Sequence, residues 1–64
     1  MVQEGDKVKL ISGEIAIIAE VLDEDVAYIA EIFAKGGGVS IDQIAYSDIK
    51  SVFKEVEHIL TQAG

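Results

Sequence analysis

From Gly13 to Phe33 the chain reads GEIAIIAEVLDEDVAYIAEIF, two apolar, β-branched runs joined at the acidic turn Leu22, Asp23, Glu24, Asp25. Such runs suit a pleated, half-buried surface, and a polar cluster between them marks a chain reversal, so the stretch predicts one long β-hairpin. An isolated hairpin is marginal in water. The rest of the chain must therefore supply strands that flank it.

Those strands can be read from alternation. Residues 7–11 put Val8 and Leu10 on one face and Lys7, Lys9 and Ile11 on the other, as in a half-buried strand. Ser12 and Gly13 form the following turn. The next strand, 14–22, is apolar on both faces, and its spacing Gly13, Ala16, Ile18, Val21 steps by two and then by three. That change of step predicts a β-bulge near Ala19 and Glu20, the device that curls a small sheet. In the strand over 26–33, Tyr28, Ala30 and Ile32 are assigned inward. Lys35 and Gly36, Gly37, Gly38 then offer a hairpin loop. A fourth strand over 39–46 is expected to send Val39, Ile41 and Ile44 to the core, with a second register shift around Asp42 and Gln43. Ser47 and Asp48 start a helical turn with Ile49 as its plug, before a last strand over 50–53. Beyond it Val52, Val56, Ile59 and Leu60 recur at helical spacing, which predicts a short helix over 54–61.

At 64 residues without cysteine the chain is one small domain with no disulfide framework and no thiolate metal site. Apolar packing has to hold it, and half of its residues are hydrophobic. Five lysines, no arginine and twelve carboxylates give a net charge of −7. Phosphate recognition draws on clustered Lys and Arg, whereas Lys7, Lys9, Lys35, Lys50 and Lys54 are scattered, so neither nucleic acid nor an anionic membrane is an expected partner. No apolar run approaches the roughly 20 residues of a membrane span, and Met1 leads into polar residues rather than a signal segment. A cytoplasmic bacterial protein is the expectation.

Short strands separated by glycine turns, with an Asp-Ile turn before the last, resemble an SH3-like small β-barrel over roughly residues 5–53. The opening Gly5-Asp6-Lys7-Val8, followed by Gly13, Ala16, Ile18 and Val21, is similar to the KOW-type barrels of ribosomal and transcription proteins, with alanine where that family usually has its second glycine. The closing Ser47-Asp48-Ile49-Lys50-Ser51-Val52 is similar to small uncharacterised bacterial proteins, several of them encoded on prophages or mobile elements. The resemblance implies a mainly β fold: a five-stranded SH3-like barrel over 1–53, and a C-terminal helical tail over 54–64 packed on the barrel or on a partner. The KOW likeness also implies an alternative function, a nucleic-acid or ribosome-associated module.

No constellation predicts catalysis. Asp23, Glu24 and Asp25 are consecutive, so they cannot all point at one cation, and they lack the spacing of a calcium loop. The glycines after Lys35 lack the Gly-Lys-Ser/Thr step of a phosphate loop. His58 has no orienting partner or nucleophile in a recognisable motif, and Ser12, Ser40, Ser47 and Ser51 fall in turns or at strand edges. The expectation is a non-enzymatic protein with no cofactor and no metal. One feature asks for more. If Ala16, Ile18, Tyr28, Ala30 and Ile32 fill the interior, then Ile15, Ile17, Ile29 and Phe33 point the other way and need a cover. Either the tail supplies it through Val56, Ile59 and Leu60, or a protein partner or second copy does. Ile15, Ile17, Ile29 and Phe33 are therefore the candidate interaction surface.

Overall fold

The computed structural model describes residues 1–53. The helix expected over 54–61, with Val56, Ile59 and Leu60, lies outside the described residues. Within them the elements are β1 (Lys7–Leu10), β2 (Ile15–Asp23), β3 (Ala27–Phe33), β4 (Val39–Ala45), a 3₁₀ turn (Tyr46–Asp48) and β5 (Ile49–Phe53). All pair antiparallel in one five-stranded sheet of order β4-β3-β2-β1-β5. The fold is thus mainly β, and β4 and β5 are the two ends of the sheet.

The β1–β2 and β3–β4 hairpins turn in the same way. In the first, the Leu10 amide donates to the Glu14 carbonyl and Gly13 donates back to Leu10. In the second, Ala34 donates to Gly38 and Gly37 donates back to Ala34. Each is a three-residue loop closed by a left-handed residue, and the glycines that take that role, Gly13 and Gly37, have φ of 94° and 101°. The Lys35 ammonium lies 3.3 Å from where a Gly13 side-chain carbon would stand. A lysine end can swing away, so the backbone strain dominates: Gly13→Ala should lose about 1 kcal/mol or more in denaturant unfolding. Gly36→Ala, at a position with open space and no positive φ, should be neutral or slightly stabilising.

Strand β2 carries the bulge that its spacing predicts, since the β2–β3 register shifts between Ile18 and Glu20, leaving Ala19 extra. This shift puts Val21, rather than Glu20, on the same face as Ile18. Pairing then lines up inward rows: Val52, Val8, Ala16 and Ile32; Ile18 and Ala30; Val21, Tyr28 and Ile44. They form the core, in which Val8, Leu10, Ala16, Ile18, Tyr28, Ala30 and Ile44 are buried, with Val21, Ile32, Ile49 and Val52 packed against them. Val2 joins it. Residues 2–6 read as a short lead-in with a turn at Gly5 and Asp6; the Asp6 carboxylate accepts the Gln3 amide while the Asp6 amide donates to the Gln3 carbonyl, and with this turn Val2, which the sequence pattern leaves out of the core, is buried against it.

Strand β4 corrects the sequence reading. The β3–β4 ladder runs from Ala27 opposite Ala45 to Phe33 opposite Val39 with no shift, so the irregularity expected around Asp42 and Gln43 is absent. Uninterrupted alternation leaves only Ile44 of the three expected core residues inside. Val39 and Ile41 are 58% and 70% exposed on the opposite face. Ser40 and Asp42 take the inward-side positions and are also exposed, because the core ends short of the middle of this edge strand.

Candidate functional site: the outer sheet face

Directly opposed residues of an antiparallel pair share a face, so the register specifies which side chains stand together outside. One row runs Ser51, Lys9, Ile15, Phe33, Val39 across all the strands. The next runs Phe53, Lys7, Ile17, Glu31, Ile41. A third, beyond the bulge, holds Glu20, Ile29 and Gln43. All four residues singled out from the sequence therefore lie on one face, with Ile15 directly against Phe33. Val39, Ile41 and Phe53 extend it and were missed there. The apolar spacing of residues 39–45 breaks at Asp42 and Gln43 and gave no signal for the first two, which only the unshifted β3–β4 ladder places outside.

The face is apolar at its centre and towards β4, and its charges are dispersed. Phe33, Val39, Ile41 and Phe53 are exposed, while Ile15, Ile17 and Ile29 are half-buried among their neighbours. The Lys7 ammonium sits 5.5 Å from the centre of the Phe53 ring, so β1 and β5 form a margin with mixed character. Glu31, half-buried between Ile17 and Ile41, is the carboxylate nearest the middle.

Comparison with protein-family models, curated proteins and solved structures finds no match to this chain.

Away from this face, the acidic turn between β2 and β3 is a tight reversal in which Val26 donates to the Asp23 carbonyl and Asp25 takes a φ of 60°. Among the described residues no group of three or more His, Cys, Asp or Glu side chains could hold a metal ion. No helix among them is long and apolar enough to cross a membrane. Beneath the turn lies the one buried side-chain polar atom without a hydrogen-bond partner among the described residues, the Tyr28 hydroxyl. Burial pushes its pKa up from the ordinary value of 10.0, and the Asp25 carboxylate adds to the rise, against a weaker pull from the Asp25 backbone amide. An unpartnered buried hydroxyl bears on stability.

Proposed function

We propose that this chain is a non-enzymatic protein-interaction module with an SH3-like small-barrel architecture, and that its outer sheet face receives a protein partner. The observation that carries this reading is the row Ile15, Phe33, Val39 with Ile17, Ile29 and Ile41 beside it, a two-sided use of apolar residues that the interior alone does not require. Removing a large apolar side chain from water is worth roughly 1.5–3 kcal/mol when complete. A contiguous face of them drives association, with Lys7, Lys9 and Glu20 at its polar margins and Glu31 set within it. The bend at the β2 bulge and the 3₁₀ turn tied to the β1–β2 hairpin, where Ile11 donates to the Asp48 carbonyl, suit a strongly curled sheet. A cytoplasmic setting, and an origin on a prophage or mobile element, belong to the same proposal.

The class of ligand separates this from the KOW-like reading. In a gel-shift titration with single- and double-stranded RNA at low salt, the full chain should leave the RNA unshifted. Its charge of −7, its lack of arginine and its scattered lysines give phosphate no cationic cluster to bind. A shift that weakens as salt rises would overturn the proposal in favour of a nucleic-acid module.

A further inference from the structure

We infer that β4 is a pairing edge for a second copy of this chain, through antiparallel alignment of Val39–Ile41 with its symmetry mate. This uses the strand's backbone edge rather than the outer face, so it stands independently of the proposed partner site.

The ladder on the other side of β4 says which backbone groups are available. Ala34 donates to Gly38 and Tyr46 donates to Val26, both in the same register as the β3–β4 pairs. Hydrogen-bonded pairs alternate along an antiparallel ladder, so Gly38, Ser40, Asp42, Ile44 and Tyr46 aim their amides and carbonyls at β3. Val39, Ile41, Gln43 and Ala45 aim theirs outward. Two of these outward amides are already occupied by carboxylates of the chain itself. The Gln43 amide donates to Asp42 Oδ1 at 2.8 Å and the Ala45 amide to Asp48 Oδ2 at 2.9 Å. Among the described residues the open part of the edge is therefore Val39 to Ile41.

That part also lacks the usual safeguards of an edge strand. It has no proline, no lysine and no bulge, and its outward side chains are exposed β-branched residues. At the opposite end of the sheet β5 has Lys50 and a register shift against β1. Charge favours a second copy here over any other place on the chain. Between Glu31 and Asp42 there is no carboxylate, the longest such stretch in the sequence.

The same groups select the register. A two-fold axis through the sheet plane sets each residue opposite one of the same face. Centred on Asp42, it would oppose two carboxylates, and centred on Ile41 it would need the Gln43 amide that Asp42 already holds. Centred on Ser40, Val39 meets Ile41 of the second copy and exchanges both backbone hydrogen bonds with it, and Ile41 does the same with Val39. Ser40 meets Ser40, and Asp42 meets Gly38, which offers no side chain to clash. The two Asp42 carboxylates are then four residues apart along the strand, about 13 Å, beyond the screening length in physiological salt. On the outer face the rows of the two copies join through Val39 and Ile41.

Sedimentation equilibrium of the full chain should show a concentration-dependent dimer. Ile41→Pro removes an outward amide without touching the β3–β4 ladder, and should weaken the dimer roughly thirtyfold or more, the loss of one hydrogen bond from each copy. Ile41→Lys, which places a charge on the edge, should also give monomer and decides the matter if the proline variant does not fold. Ile41→Thr keeps the amide and should still dimerise. A wild-type chain that stays monomeric at millimolar concentration would overturn the inference. So would a dimer that survives both Ile41→Pro and Ile41→Lys, or one that Ile17→Lys dissolves while those two leave it intact.

Discussion

Ala16→Asp is expected to abolish the cooperative thermal melt of this domain, while Ile15→Asp, one residue away, leaves it folded. Ala16 is fully buried, opposite Val8 on one side and Ile32 on the other, at the centre of the inward rows. A carboxylate there has neither room nor a cationic partner, and burying it costs several kcal/mol, comparable with the whole stability of a domain this small. Ile15 stands on the outer face between Lys9 and Phe33, where a carboxylate stays in contact with water and beside an ammonium group. Its replacement should cost about 1–2 kcal/mol of packing. Circular dichroism melts of the two variants check the assignment, and a cooperative Ala16→Asp with an unfolded Ile15→Asp would show that the faces are reversed.

Tyr28 should respond in opposite directions to two substitutions. Its ring is fully buried between Val21 and Ile44, among the largest side chains of the core. Tyr28→Ala therefore leaves a cavity and should lose about 3–5 kcal/mol, enough to leave the chain largely unfolded at room temperature. Tyr28→Phe keeps the ring and removes only the hydroxyl, which has no hydrogen-bond partner among the described residues, so it should gain up to about 1 kcal/mol. The two proteins should also differ in alkaline solution. Because burial raises the Tyr28 pKa in the folded state, the folded chain holds that proton to higher pH than the unfolded chain does. The associated stability is fully present below about pH 10 and is lost as pH rises through the folded-state value. Tyr28→Phe should lack this loss. Denaturant unfolding of both proteins between neutral pH and about pH 11 measures it, and parallel curves would contradict the burial of the hydroxyl.

What could be read from the sequence is what local pattern encodes. The hairpin centred on residues 22–25, the inward set Ala16, Ile18, Tyr28 and Ala30, and the bulge beside Ala19 all follow from alternation and its change of step after Ile18, whereas a second register shift, between Val21 and Asp23, has no such signal. The strand ends and the 3₁₀ turn at Tyr46–Asp48 lie within a residue or so of their expected places. Residues 39–45 defeated the same method. Apolar character alone sends the hydrophobic residues of this strand to the core, and only a register shift could bring Val39, Ile41 and Ile44 to one side. The ladder needs no shift, because an edge strand can leave valine and isoleucine outside. Val2 was also not legible, since its burial depends on a turn closed by Asp6. The outer face was readable as a set of four residues. Its full extent was not, because membership is decided by pairing across strands distant in sequence, as with Phe53 beside Lys7.

The most direct test of the proposed interaction surface is affinity capture from the native host lysate by the full chain and by its Ile17→Lys/Phe33→Lys variant, each first shown to melt cooperatively. The substitutions put two ammonium groups into adjacent rows of the outer face and leave the inward rows untouched. The expected result is a discrete protein retained by the wild-type chain and lost from the variant. Retention of the same protein by both chains would place the binding surface elsewhere, and recovery of nucleic acid without protein would contradict the account.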